Sequence, residues 1–456
     1  MRFDRTALKF LGEWKLKSDR KPLVIRGARQ VGKTTLVEMF AKNFKQFISL
    51  NLELAEDRSI FENKKNFEDV IDALYFLKNA DKSEKDTIIF IDEIQNSPQA
   101  IKYLRYFYEI RKDTAVITAG SLLESLIDKE LSYPVGRVEF FALRPFSFRE
   151  YLTAMGEEQA IKAIDTIPFP AYAADKLMTL FRKYALIGGM PEVLKNFAED
   201  GDLVKVKDII KNLVLSFKTD VEKYARNDTA NKIIRHIIDN AFYFAGERIK
   251  FNRFGNSDYR SREIGECFRI LEKTMLLKMV YPSTSNILPI IPNINRSPKL
   301  LLLDTGLVNF ISGIEKEIYL AKELSDLYKG RIAEHIVGQE LMTKELFPDN
   351  NIVFWVRDKK QADAELDYLF INNSEVIPIE VKSGAAGKLK SLHQFINLSE
   401  SGGKIIIAVR IYSGNLSVQK ERTSEGKEYI LLSLPFYLLD KLTDYIDLAK
   451  SMTDKN

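Results

Sequence analysis

The chain has 456 residues, 45% hydrophobic and 29% charged, a composition that excludes a disordered protein and predicts two to four globular domains. A single cysteine, Cys267, rules out an internal disulfide, and three histidines leave too few soft ligands for a zinc module. A net charge of +4 is too slight to mark a nucleic-acid coat by itself. No apolar run approaches the ~18–20 residues of a membrane span, and Met1-Arg2-Phe3-Asp4-Arg5 lacks a signal-like apolar region. A soluble, cytoplasmic chain without a membrane partner is therefore expected, and any metal should be a hard cation on carboxylates.

The first ~150 residues alternate strand and helix signals. Apolar runs at Leu23–Arg26, Phe47–Asn51, Ile88–Asp92, Ala115–Thr118 and Phe140–Leu143 alternate with helical patterns such as Lys33–Lys42 and Gln99–Lys112. This predicts a parallel sheet with helices on both faces, over residues 1–150. Residues 151–240 read as helical, broken at Ile167-Pro168-Phe169-Pro170 and Gly188-Gly189-Met190-Pro191. Residues 241–298 read as helix, turn, helix and short strand, a winged-helix pattern. Ile264, Phe268, Leu271, Met275 and Leu276 are placed on one helical face, and Leu277–Tyr281 form the strand. After the Pro/Asn-rich Pro282–Pro298, residues 299–456 resume α/β character with a strand at Lys299–Leu303 and a helix at Arg331–Leu346.

Gly27-Ala28-Arg29-Gln30-Val31-Gly32-Lys33-Thr34 fits the phosphate-binding loop G-x-x-x-x-G-K-[ST], between a strand and a helix. Its glycines let backbone N–H groups face phosphates at a helix N-terminus. Lys33 would bridge the β- and γ-phosphates, and Thr34 would hold Mg²⁺. Ile88-Ile89-Phe90-Ile91-Asp92-Glu93 is an apolar strand ending in two acids. Asp92 would bind Mg²⁺ through water, and Glu93 would orient the attacking water, favouring hydrolysis over transfer to a small acceptor. The expected cofactors are ATP and Mg²⁺, with Thr35 completing the nucleotide-binding loop. In Thr118-Ala119-Gly120-Ser121, Thr118 or Ser121 could sense the γ-phosphate or merely cap the next helix. Arg137 is a candidate arginine finger; the alternative is a solvated arginine.

On these residues the first 150 positions resemble the AAA+/STAND-type P-loop ATPases. Arg26–Leu36 and Leu143-Arg144-Pro145-Phe146-Ser147-Phe148-Arg149-Glu150-Tyr151 resemble one bacterial and archaeal family in particular. That family joins the ATPase to a C-terminal domain of unknown function, DUF4143. Gly188-Gly189-Met190-Pro191 and Leu303-Asp304-Thr305-Gly306-Leu307 fit the same family, so the resemblance covers nearly the whole chain. It implies a winged helix in the middle and a nuclease-like fold at the end.

Glu365-Leu366-Asp367-Tyr368-Leu369-Phe370 and Val376-Ile377-Pro378-Ile379-Glu380-Val381-Lys382 read as two strands joined by Asn372-Asn373-Ser374. Period two puts Glu380 and Lys382 on one face, and a two-residue turn at Asn373-Ser374 would set Asp367 opposite Glu380. Two such carboxylates suit Mg²⁺ or Mn²⁺. The spacing resembles the PD-(D/E)xK nucleases, without their proline before Asp367. That resemblance implies that Asp367 and Glu380 hold metal with the carbonyl of Val381, that Lys382 activates water or stabilises the phosphate, and that Glu334 adds an outer contact. The plain alternative is a solvated hairpin face with a cross-strand ion pair.

Arg248-Ile249-Lys250-Phe251-Asn252-Arg253-Phe254, Arg260-Ser261-Arg262, Arg269 and Lys273 interleave basic and aromatic residues in a way that suits DNA contact. They equally suit a solvated surface over core phenylalanines. Two readings follow: a Mg²⁺-dependent ATPase coupled to a DNA-binding, nuclease-like module, or an ATP-dependent switch whose silent C-terminal domain binds a protein partner. Self-association is compatible with either.

Overall fold

The computed structural model describes residues 3–62, 66–120, 133–134, 136–220, 225, 227–315, 330–344, 352–358, 364–382, 389–399 and 406–453. Contacts divide the chain into two units. One holds residues up to Arg144 together with Arg269–Leu276, and most of the remainder forms the other.

The first unit runs α1 (Ala7–Lys15), β1 (Leu23–Arg26), α2 (Lys33–Ala41), β2 (Gln46–Asn51), α3 (Ala55–Ser59), α4 (Phe67–Leu77), β3 (Thr87–Asp92), α5 (Pro98–Ile110), β4 (Ala115–Gly120) and β5 (Glu139–Ala142). All five strands pair in parallel in the order β2-β3-β4-β1-β5. The β-branched runs of β1, β3 and β4 suit strands buried on both faces. Val24, Ile89 and Ile91 face a cluster with Val70, Leu74, Leu104 and Phe107 of α4 and α5. On the other face α1 and α2 meet through Trp14 and Phe40, whose rings lie 6.3 Å apart. The start of α5 is set by Ser97, whose hydroxyl accepts from Ala100 N at 3.2 Å, followed by Pro98 in the first turn. The sheet predicted from the sequence is present strand for strand, with ends shifted by one or two residues.

The second unit opens with six helices: α6 (Phe148–Ala154), α7 (Glu158–Asp165), α8 (Ala174–Ile187), α9 (Pro191–Asp200), α10 (Leu203–Asp220) and α11 (Asp228–Ala241). The breaks expected at Ile167–Pro170 and Gly188–Pro191 fall between α7 and α8 and between α8 and α9. Next come α12 (Ser261–Lys273), whose residues from Arg269 on belong to the first unit, then β6 (Leu277–Val280), β7 (Pro282–Ser283), β8 (Lys299–Leu302) and α13 (Thr305–Ile311). The helix ends at Lys273, and Met275 takes φ 61, so Met275 and Leu276 lie beyond the helical face that the sequence assigned to them. Ile264, Phe268 and Leu271 are buried as expected. β6 pairs antiparallel with β8, on the two sides of the boundary expected at residue 298.

The rest comprises α14 (Arg331–Thr343), β9 (Val353–Val356), β10 (Glu365–Asn372), β11 (Glu375–Val381), α15 (Lys390–Leu398), β12 (Ile406–Tyr412), β13 (Ser417–Arg422), β14 (Glu428–Pro435) and α16 (Leu442–Thr453). Seven strands form a mixed sheet in the order β13-β14-β12-β11-β10-β9-β7, with β11, β12 and β14 parallel. Leu392, Phe395 and Ile396 of α15 pack on Trp355, Leu366, Ala408 and Leu431 of the sheet. The chain thus has an α/β fold with a parallel five-stranded sheet followed by a helical segment.

Candidate functional sites

The loop Gly27–Thr34 leaves β1 and enters α2 with two left-handed residues, Gln30 (φ 64) and Gly32 (φ 93). Gly27 has no room for a side chain, because a Cβ there would lie 2.5 Å from the Leu143 carbonyl oxygen. Lys33 is buried in the first turn of α2, and its Nζ donates to the carbonyls of Gly27 and Ala28, both at 2.9 Å. Burial lowers its ammonium pKa to about 8, against the opposing pull of Glu93 and Asp92. A polyphosphate fits this position because it supplies the negative charge a buried ammonium lacks.

Thr34 Oγ1 donates to Asp92 Oδ2 at 2.6 Å, so the expected Mg²⁺ pair meets across the sheet edge. Asp92 Oδ1 accepts from the Glu93 amide at 3.0 Å. Glu93 follows at φ 51, and its carboxylate accepts from Gln95 Nε2. Burial raises the Glu93 pKa, while Gln95 and Lys33 oppose the shift. A carboxylate with raised basicity beside Asp92 has the chemistry of a water-orienting base. Thr118, on β4, stands in register between Ile91 of β3 and Val24 of β1. It is fully buried, and its hydroxyl has no hydrogen-bond partner among the described residues. Ser121 lies outside the described residues.

Arg137 goes elsewhere. β5 runs parallel to β1 with Glu139 opposite Leu23, so Arg137 lies at the amino edge of the sheet, whereas the phosphate loop leaves the carboxyl edge after Arg26. There Arg137 pairs with Glu109 at 2.9 Å and lies over the Tyr108 ring. The parallel register, invisible in a single strand's sequence, thus keeps it away from the phosphate loop of its own chain. Arg5 also fastens the loop from outside, its guanidinium donating to the carbonyls of Val31 (3.3 Å) and Arg144 (2.6 Å). A lone arginine before a helix gives no signal of this.

In the second unit, Asn372 pairs with Glu375, leaving Asn373 (φ 48) and Ser374 (φ 64) as the two-residue turn. Asp367 Oδ2 accepts from Val381 N at 2.8 Å, and Lys382 Nζ donates to Glu380 Oε1 at 2.5 Å. Glu380 Oε2 is buried without a hydrogen-bond partner among the described residues. Asp367, Glu380 and Lys382 are therefore brought together. The group at their centre is one the sequence did not single out. Lys299 Nζ reaches Glu365 Oε1 (2.9 Å), Glu334 Oε2 (3.1 Å) and Asp367 Oδ1 (3.3 Å). Burial works against its charge, but Asp367, Glu334 and Glu365 outweigh it and hold the ammonium above its ordinary range. Burial raises the carboxyls of Glu334 and Glu380, and the charge of Asp367 adds to both shifts. Among the described residues no group of three or more His, Cys, Asp or Glu side chains has metal-binding geometry. Glu365 was legible, two residues before Asp367 on the same strand face; Lys299 was not.

The basic stretch is only partly a free face. Arg248 bonds Glu365 at 3.3 Å, and exposed Arg262 pairs with Glu266 one turn on. Phe254 is buried, with its ring 4.9 Å from that of Phe268.

Three further sequence motifs meet in one buried network. Phe146 N donates to Gly189 O (2.8 Å), and Gly189 N donates to Asp304 Oδ2 (2.6 Å). Phe148 N donates to Glu340 Oε1 (3.1 Å), which also lies 2.6 Å from Tyr184 Oη. Gly189 admits no side chain here, since a Cβ would lie 2.1 Å from Phe146 O.

Three known families match separate segments of the chain. Residues 19–152 match the AAA domain family, 178–318 match a domain of unknown function, DUF8612, and 329–437 match DUF4143. The Gly188–Pro191 and Leu303–Leu307 motifs thus fall in the DUF8612 match. No curated protein matches significantly. Among solved structures, the chain is similar to the Walker-type ATPase PABY2304 of Pyrococcus abyssi, at 14% identity over 68% of this chain and 96% of that one, with a TM-score of 0.45. The Aeropyrum pernix ORC1 protein in complex with DNA matches at 13% identity over 70% of this chain and 95% of its own, with a TM-score of 0.28. The Thermotoga maritima RuvB Holliday junction branch migration motor matches at 14% over 61% and 90%, also at 0.28. All three scores are low and bear on neither ligand nor partner. From the family matches, the chain joins an AAA-type P-loop ATPase domain to a C-terminal DUF4143 domain.

Proposed function

We propose that the chain binds Mg²⁺-ATP on Gly27–Thr35, hydrolyses it, and uses the nucleotide state to control its C-terminal module. The contact between Thr34 Oγ1 and Asp92 Oδ2, with Glu93 next in sequence, carries the reading. When bound, Mg²⁺ would offset charge on the β- and γ-phosphate oxygens. Lys33 would swing its ammonium from the loop carbonyls to those oxygens. Glu93 would accept a proton as a water oxygen bonds to the γ-phosphorus and the bond to the ADP oxygen breaks. Thr118 would offer its unpartnered hydroxyl to the γ-phosphate or the water. Glu93→Gln tests this: nucleotide affinity should stay within about threefold while turnover falls about a hundredfold or more. Wild-type turnover in that variant would move the base elsewhere.

For the C-terminal module the nuclease reading gives Asp367, Glu380 and Lys382 a Mg²⁺- or Mn²⁺-dependent role on DNA. Their convergence supports it. The switch reading makes the module silent and gives it a protein partner. Lys299, amid the carboxylates, favours the switch.

A further inference from the structure

We infer that Lys299 is the resident cation of the C-terminal carboxylate cluster, taking the place of the divalent metal that the nuclease-like spacing leads one to expect. The inference deepens the switch reading of that module and is independent of ATP hydrolysis in the other unit.

The donor set decides it. Asp367 has both oxygens engaged, Oδ1 by Lys299 and Oδ2 by the Val381 amide. Glu365 likewise gives Oε1 to Lys299 and Oε2 to Arg248. Glu334 gives Oε2 to Lys299, and Glu380 gives Oε1 to Lys382. Glu380 Oε2, and at most Glu334 Oε1 beside it, remain for a metal, against the about six oxygens a hard divalent ion requires.

Lys299 is also built in. Its side chain is 4% exposed, its Nζ lies 5.0 Å from the Phe354 ring centroid, and its strand β8 is held by β6. Tyr368 Oη donates to the Glu334 carbonyl at 2.8 Å, fixing the helix turn that carries that carboxylate. A metal ion entering the cluster would have to displace a buried ammonium, which would lose three carboxylate partners and gain none. Desolvation makes such a stranded charge costly. The module therefore works without a divalent metal, as a lysine-centred ion-pair scaffold rather than a metal-dependent phosphodiesterase.

Mn²⁺ titration of the nucleotide-free full chain, followed by the loss of the free-ion electron paramagnetic resonance signal, tests this. Asp367→Asn serves as the control that isolates the C-terminal cluster. The wild type should show no Asp367-dependent site. Lys299→Met, which keeps the stem and removes the charge, should gain one, at least about tenfold tighter than any wild-type binding and lost again in the double variant with Asp367→Asn. An Asp367-dependent site in the wild type, or none in folded Lys299→Met, overturns the inference. If Lys299→Met does not fold, the wild-type titration decides alone. DNA nicking that survives a chelator and is lost in Asp367→Ala would sink the switch reading yet support a metal-free cluster.

Discussion

At the scale of single residues, Thr118 separates a structural from a functional role. A hydroxyl buried without a partner costs stability, so removing it should not harm the fold. Thr118→Val should leave thermal stability unchanged or raise it by about 1 kcal/mol, while lowering ATP turnover tenfold or more if the hydroxyl addresses the γ-phosphate. Unaltered turnover with altered stability would leave Thr118 a packing residue. Residue chemistry was legible where neighbours in sequence do the work: Lys33 and Thr34 share one loop, and Asp92 and Glu93 share one strand end. Lys299 was illegible for the opposite reason. Its carboxylate partners Glu334 and Asp367 lie 35 and 68 residues away, and a lysine opening an apolar strand gives no local sign of them.

At the scale of elements, register governs what the sequence could tell. The hairpin of β10 and β11 was legible because a two-residue turn fixes every pair beyond it. The place of Arg137 was not legible, because its distance from its own phosphate loop depends on how β5 pairs with β1, which no single strand records. The junction of α6, α8 and α14 gives an element-scale prediction. Glu340 is fully enclosed, and burial raises its carboxyl from 4.5 to about 7. One Tyr184 hydroxyl hydrogen faces two acceptors, Phe146 O at 2.9 Å and Glu340 Oε1. A protonated Glu340 relieves that conflict by donating to Tyr184, which then donates to Phe146. Between 4.5 and about 7 the folded chain keeps a proton that the unfolded chain releases, so this group's stabilisation is present below that window and lost as pH rises through it. Asp304, raised to about 6 by burial, acts in the same direction; His335, lowered to about 4 by burial, opposes it. Comparing wild type with Glu340→Gln cancels those two. Denaturant unfolding should show the wild type losing on the order of 3 kcal/mol relative to the variant between about pH 4.5 and 7.5. A pH-independent difference would mean that Glu340 titrates alike in the folded and unfolded chains.

At the scale of the molecule, the chain passes from Arg144, whose carbonyl is held by Arg5, to Phe146 and Phe148, whose amides are held by Gly189 and Glu340. Leu143, one residue earlier, donates its amide to Arg26 O at 2.7 Å, immediately before the phosphate loop. Glu340 lies within the DUF4143 match. Everything rests on the loop being an ATP site that turns over. The most direct measurement is Mg²⁺-dependent ATP hydrolysis by the purified full chain and by Lys33→Ala. Turnover is expected in the wild type, with a loss of about a hundredfold or more in the variant. Equal turnover in the two proteins would contradict it.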